Sequence, residues 1–225
     1  RPLIIMNGEK IDWFHTVIRM LMYLAGVAVL ALGMSLQTAS GLGVAALTCF
    51  ATTLSMLTGK TLGFWITATY VAYIVAQFTI LRREFQPRIL LELCFSTLIG
   101  GFTDFFMAVN PLHPAALPIQ VDTMLLSLAV TAFGVSLVVN MGVVPNAPDG
   151  LVQVIAEKIK RRFGDVKVVF DCSHVAVSLV LSLALMHNLG GFGVTTAISA
   201  LFLGHVINIA NKLFAQRFVR AAFGK

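Results

Sequence analysis

Two pairs of polar side chains lie inside long apolar segments, where ionisable groups are costly and invite a functional explanation. Asp171 and His174 are one helical turn apart, and His205 and Asn208 have the same spacing, so each pair shares one helix face. The rise per residue places both pairs about 6–12 Å inside the same membrane edge if their segments run in opposite directions. Such a coupling cluster can relay a proton, since histidine titrates near neutral pH, or it can be a hydrogen-bonded patch that joins two helices.

A second set of residues stands where two short helices are expected to begin. Gly41 and Gly43 precede the first helix and Thr48 lies in it, whereas Asn146 and Asp149 stand at the start of the second. The free N–H groups of a helix N-terminus favour negative charge, and in many transporters such ends lie near the middle of the membrane. We therefore expect these five residues to form a substrate-binding site, with an N-terminal cap as the alternative role of Asp149.

Signatures of catalysis and of a resident metal are missing from the sequence. It contains no H-E-x-x-H, no G-x-S-x-G and no Walker pattern, and its intramembrane carboxylates are expected at different depths. Cys49, Cys94 and Cys172 lie far apart, which argues against a disulfide and against a zinc site. We expect no enzyme activity, no cofactor and no metal.

The elements that must position these residues are membrane-spanning helices. Of the 225 residues, 58% are hydrophobic and 12% are charged, against about 25% charged residues in a soluble domain. The composition predicts a single all-α transmembrane domain over residues 1–225. The net charge of +6 does not indicate a nucleic-acid partner, because the basic residues stand at the ends of apolar segments. Six such segments have the length of about 20 residues that spans a bilayer: 17–38, 62–81, 89–109, 121–141, 167–187 and 192–213.

Two shorter segments are expected to be re-entrant or interfacial helices. Residues 44–58 are apolar, rich in threonine and too short to span comfortably, and whether they cross is left open. Residues 149–163 form an amphipathic pattern with a strongly basic end, which the bilayer core would penalise. We predict that this basic end binds anionic lipid at the cytoplasmic surface. The basic residues are Lys158, Lys160, Arg161 and Arg162.

The sequence landmarks occur twice in the same order. Residues 33–36 (Gly-Met-Ser-Leu) match residues 134–137 (Gly-Val-Ser-Leu), and residues 100–104 match residues 204–208. Each half reads as span, short helix, span, span, which gives repeats over about 17–109 and 121–213. Three spans are an odd number, so the halves are predicted to be inverted, with both termini in the cytoplasm. All lysines and arginines except Lys60 then face the cytoplasm, as the positive-inside rule requires.

Three segments between about residues 17 and 210 carry a family resemblance. They are the glycine-containing stretch 33–43, the helix start Pro145-x-x-Pro148-Asp149-Gly150-Leu151, and the run Leu189-Gly-Gly-Phe-Gly-Val-Thr195. Asp171, which follows the basic loop, belongs to the same pattern. With these motifs the chain resembles the YczE/YyaS/YitT family of bacterial integral membrane proteins. The resemblance implies a location in the bacterial inner membrane and the transport of a solute, without naming that solute.

Two functions from different classes follow from these observations. The first is a small inner-membrane transporter of a small-molecule substrate, coupled to protons through the coupling cluster and with its site between the repeats. The alternative is a non-transporting scaffold or accessory subunit whose basic helix docks lipid or a partner. A homodimer is compatible with either. A midplane cavity lined by Asp149 and Asp171 would favour transport, and a solid bundle core would favour the scaffold.

Overall fold

The computed structural model describes residues 13–82, 87–112, 114–144, 146–187, 189 and 191–223. Within these residues the chain is built of helices, without strands. The eight α-helices are α1 (Trp13–Ser40), α2 (Ala46–Thr58), α3 (Leu62–Leu81), α4 (Leu91–Val109), α5 (Leu117–Met141), α6 (Ala147–Ile159), α7 (Phe163–Leu181) and α8 (Val194–Phe223). A π-helical turn, Ser182–Met186, extends α7. Pro145 and Gly190, which belong to the sequence motifs, lie outside the described residues.

Six of these helices are long and apolar enough to cross a membrane. They are all but α2 and α6, which have 13 residues each and therefore a length of only about 20 Å. The prediction of six spanning segments and two short helices in an all-α membrane protein is confirmed. The second short helix ends earlier than expected, at Ile159, because Lys160 adopts a left-handed conformation with φ 53°. Arg161 and Arg162 therefore belong to the connection to α7 and not to a helix.

The centre of the molecule is the antiparallel contact between α1 and α5. Arg19, near the start of α1, donates hydrogen bonds to the carbonyls of Met141 and Gly142 at the end of α5, at 2.6 and 2.7 Å. Midway along the contact a Cβ on Gly33 would lie 2.8 Å from the backbone nitrogen of Thr131. A Cβ on Gly134 would lie 2.6 Å from the backbone nitrogen of Leu30. Glycines at these two positions allow the backbones to approach closely, as in other membrane helix pairs.

The contacts of the two halves correspond to each other. Asn110 donates to the Ser35 hydroxyl and so joins the ends of α4 and α1. Ser136 donates to the Asn211 side chain and so joins α5 to α8, with the same separation of 75 residues between the partners. Likewise α2 packs on α7 as α6 packs on α3. The order of helices and the matching contacts are what a duplicated unit would produce.

The packing of α3 against α4 differs from the packing of the corresponding helices, α7 and α8. Gly63 of α3 lies so close to α4 that a Cβ on it would be 2.0 Å from the Gly100 carbonyl oxygen, and Asp104 accepts a hydrogen bond of 2.7 Å from the Gly63 N–H. In the other half, Gly204 of α8 has open space in front of it. Helix α7 packs mainly against α2 and α6. The first half is therefore compact, whereas α7 and α8 present broad apolar surfaces.

Candidate functional site

The N-terminus of α6 lies inside the helix bundle. Asn146 is its extended N-cap, and Pro148 stands in the first turn, where its missing N–H leaves no helical partner unsatisfied. Ala147, Pro148 and Gly150 are buried against the neighbouring helices α3 and α4. The helix therefore presents its positive end within the protein rather than at its surface.

An ion cluster of three residues stands beside this helix end. The Lys167 ammonium of α7 lies 3.1 Å from an Asp149 carboxylate oxygen and 3.0 Å from an Asp171 carboxylate oxygen. All three side chains are partly buried. One cation shared by two carboxylates leaves the cluster with a formal charge of −1. Proton uptake by either carboxylate would change which partner Lys167 holds.

A tyrosine–histidine pair follows one turn further along α7. The Nδ1 of His174 is 2.8 Å from the Phe170 carbonyl oxygen, which can only accept, so Nδ1 carries a proton. In the neutral ring Nε2 is then an acceptor, and the Tyr73 hydroxyl of α3 donates its hydrogen to it. The Tyr73 ring also packs edge-on against Phe170. Each polar hydrogen of this pair is therefore already in use.

A buried carboxyl on the other side of the α6 N-terminus was missed by the sequence reasoning. Glu92 of α4 and Gln77 of α3 are each 1% exposed, and the Gln77 amide donates to a Glu92 oxygen at 2.7 Å. The same amide reaches the Ala147 carbonyl oxygen at 3.4 Å. The rule that flagged Asp171, an ionisable group inside an apolar segment, applies equally to Glu92. Its position in the first turn of α4 resembles an ordinary favourable helix start, which hides its burial.

An apolar groove lies between α2, α3 and α7. It has a volume of about 360 Å³, at the lower end of the range for small-molecule sites, about 300–1,000 Å³. The Tyr73–His174 pair stands at its polar end, and the ion cluster continues beyond that pair along α7. The lining of this groove includes neither Asp149 nor Asp171, so it is not the midplane cavity that would favour transport over a scaffold. Its apolar walls are Phe50, Leu54, Trp65, Ala68, Ala72 and Val177.

The structure separates the five residues predicted to bind substrate. Asn146 and Asp149 stand at the α6 N-terminus, where Asp149 is one of the three residues of the ion cluster. Gly41, Gly43 and Thr48 belong to the start of α2, and α2 packs on α3, α7 and α8 rather than on α6. A single site formed by all five is therefore not what the described residues show.

The backbone just before α2 is hydrogen-bonded to other parts of the protein. The N–H of Ala45 donates to the Gln37 side chain at 3.1 Å, and the N–H of Val44 donates to the Gly191 carbonyl at 3.1 Å. Gly43, with φ 102°, leaves room for the backbone of Gly193, which would lie 2.7 Å from a Cβ there. These contacts occupy the N–H groups of Val44 and Ala45, which stand just before the first turn of α2. Gly43 serves close packing against the residues that precede α8, whereas a Cβ on Gly41 would meet only the Gln120 side chain, at 3.7 Å.

The predicted coupling cluster is also divided. Asp171 and His174 face the bundle, as expected, and contact Lys167 and Tyr73. His205 and Asn208 are exposed on α8, and the His205 ring lies beside Phe202 of its own helix. The rise per residue gives the position of a side chain along a helix but not the rotation of that helix about its axis. The expectation that the two pairs meet is therefore not met.

The basic residues at the end of α6 lie on the surface. Lys158, Lys160, Arg161 and Arg162 are all exposed, as a contact with lipid headgroups requires. Within the described part of the chain, no group of three His, Cys, Asp or Glu side chains is arranged to hold a metal ion.

Comparison with known proteins gives a family but no activity. No curated protein and no solved structure matches the chain. One described family matches it over residues 17–212, a range that contains the ion cluster, the groove and all eight helices apart from the first four residues of α1 and the last eleven of α8. The protein is therefore a multi-span helical membrane protein that belongs to a family of unknown function, DUF6198.

Proposed function

We propose that the protein is a small transporter of the bacterial inner membrane that moves a small solute coupled to protons. The observation that carries this proposal is the Asp149–Lys167–Asp171 ion cluster at the buried N-terminus of α6. Charged side chains are expensive inside a membrane domain, and a short helix that begins inside the bundle is how many secondary transporters build their sites.

The matching contacts of the two halves support an inverted repeat. Three spanning helices and one short helix in each half place the halves in opposite orientations if α2 and α6 do not cross. Both termini and the basic end of α6 then lie in the cytoplasm, in line with the positive-inside rule. The resemblance to the YczE/YyaS/YitT family is part of the same proposal.

Asp171 is the residue that would couple proton and solute. Lys167 and His174 face it from α7, Asp149 faces the shared Lys167 from α6, and Tyr73 of α3 bonds His174. Protonation of Asp171 removes one of the two carboxylates that hold Lys167, so the ammonium moves toward Asp149 or a bound solute. The proton and the solute are then linked through one shared cation.

An assay of proton flux tests this role. The purified protein is reconstituted into vesicles that contain a pH-sensitive dye, and fractions of a bacterial metabolite extract are added outside. We expect at least one fraction to change the internal pH, and we expect Asp171→Asn to abolish that change, because the amide keeps the shape but cannot release a proton.

The matched control is Asp104→Asn. Asp104 lies in the other half and accepts a backbone hydrogen bond, so this variant loses a carboxylate without touching the ion cluster. It should retain the flux. Flux that survives in Asp171→Asn would contradict the role of Asp171.

One observation favours a second function, docking of anionic lipid or of a partner by the basic end of α6. Its four cationic side chains are exposed together, and each basic residue near an anionic surface contributes about 1 kcal/mol of attraction. No flux with any fraction would favour this scaffold function over transport. Homodimer formation stays a prediction under both functions.

A further inference from the structure

We propose that the groove between α2, α3 and α7 binds a lipophilic amine, a molecule with an apolar body and a protonated amino group, which enters from the bilayer. This inference rests on the proposed function and names the class of its substrate.

The walls of the groove determine the polarity of the ligand's body. Six apolar side chains line it, and its flanks on α3 and α7 carry exposed apolar residues such as Val71, Val75 and Val180. In a spanning helix such residues face lipid, so the groove opens sideways toward the bilayer. A ligand that reaches it from lipid must have an apolar body.

The hydrogen bonds among the lining residues determine which polar group the ligand can carry. The Thr69 hydroxyl donates to the Trp65 carbonyl at 2.6 Å, and the Ser173 hydroxyl donates to the Phe170 carbonyl at 2.7 Å. The indole N–H of Trp65 donates to the Thr58 hydroxyl at 2.7 Å. The Tyr73 hydroxyl and the His174 Nδ1–H are in use as well.

Every side-chain donor that lines the groove is thus occupied, and only lone pairs and aromatic faces are left for a ligand. A ligand group that bonds here must itself donate. A carboxylate or phosphate would find no side-chain donor in the lining and would be left unpaired, which disfavours its binding.

Charge favours a cation over a neutral donor. The ion cluster beyond Tyr73 and His174 carries a formal charge of −1, since Lys167 balances only one of Asp149 and Asp171. The rings of Phe50, Trp65 and Tyr73 can add cation–π attraction. A protonated amine satisfies the lone pairs, the rings and the charge together.

Trp65 provides the test, because the chain has two tryptophans and Trp13→Phe leaves the groove residue as the only tryptophan, which can be excited selectively over the tyrosines. The probes are ω-bromododecylamine and ω-bromododecanoate, whose bromine quenches tryptophan on contact. We expect the amine to quench Trp65 saturably in lipid nanodiscs, and we expect the carboxylate of equal length to quench only by linear partitioning.

Two variants locate the binding. Ala68→Phe fills the groove without removing a polar group and should abolish saturable quenching. Thr69→Val combined with Ser173→Ala removes two acceptor oxygens and should weaken amine binding about tenfold, the effect of about 1.4 kcal/mol. Unchanged melting temperatures show that both variants are folded.

The possible outcomes separate this inference from the proposed function. Equal quenching by both probes would mean that any acyl chain fills the groove, and would overturn the inference even if Asp171→Asn abolishes proton flux. Saturable binding of the amine without proton flux would uphold the site and remove transport. Tighter binding of the carboxylate would overturn the assignment of the head group.

Discussion

At the scale of single residues, the buried position of Glu92 depends on Gly150, which has no side chain to collide with it. A Cβ on Gly150 would lie 2.7 Å from a Glu92 carboxyl oxygen and 3.2 Å from the Gln77 amide. Both side chains are buried and hydrogen-bonded to each other, so neither can move aside without losing a partner. Gly150 is therefore needed for the fit of α6 against α3 and α4.

We predict that Gly150→Ala lowers the stability of the protein by about 1–3 kcal/mol, the usual cost of overpacking a well-packed site. Thermal unfolding in detergent, followed by circular dichroism, measures the change. The matched control is Gly101→Ala on α4, where nothing lies within 4 Å of the added Cβ and the helix gains propensity.

A double variant identifies the cause. If the added methyl group collides with Glu92, Gly150→Ala combined with Glu92→Ala should cost less than the sum of the two single changes. Additive costs would show that Gly150 is needed for another reason.

At the scale of helices, the sequence predicts what depends on length and hydropathy and misses what depends on rotation. The two short helices and the first five long segments agree with the structure to within a few residues, because about 20 apolar residues have few alternatives to a span. Helix α8 instead continues to Phe223, ten residues beyond the predicted end at 213. The end of α6 at Lys160 was missed, since a left-handed lysine leaves no signal in the sequence. The direction that His205 faces, and the hydrogen bonds of residues 191–195 to the segment just before α2, depend on contacts between distant segments.

The contact between α1 and α5 gives a prediction at this scale. Alanine at Gly33 or at Gly134 places a methyl group within 3 Å of backbone atoms of the opposite helix, and a backbone cannot rotate away as a side chain can. We expect each change to lower the melting temperature, with a cost of about 1–3 kcal/mol.

Gly204→Ala is the matched control for both variants, because Gly204 also lies within a long helix but faces open space. It should melt at the temperature of the unmodified protein or above it. A similar loss in all three variants would show that helix glycines matter for some reason other than close packing.

At the scale of the whole molecule, the charges decide the orientation in the membrane. Lys60 lies in the connection between α2 and α3, and Lys160 in the connection between α6 and α7. If neither short helix crosses, these two positions face opposite sides of the membrane. If both cross, they face the same side.

Cysteine labelling tests this orientation. In a background without Cys49, Cys94 and Cys172, we expect a cysteine at position 60 to react with an impermeant maleimide from outside intact cells. A cysteine at position 160 should react only after the membrane is opened. Reaction of both positions from the same side would contradict the inverted arrangement.

The unequal packing of the two halves has a kinetic consequence for a carrier built by duplication. In a carrier with two equivalent inverted halves, the states open to either side are related by the two-fold axis in the membrane plane and have equal free energy. Here α3 is held against α4 by Gly63, Gly100 and Asp104, whereas within the described residues α7 packs mainly against α2 and α6. In the proposed transporter the two states would then differ in free energy, so the resting protein would favour one side and its forward and return steps would have different rates.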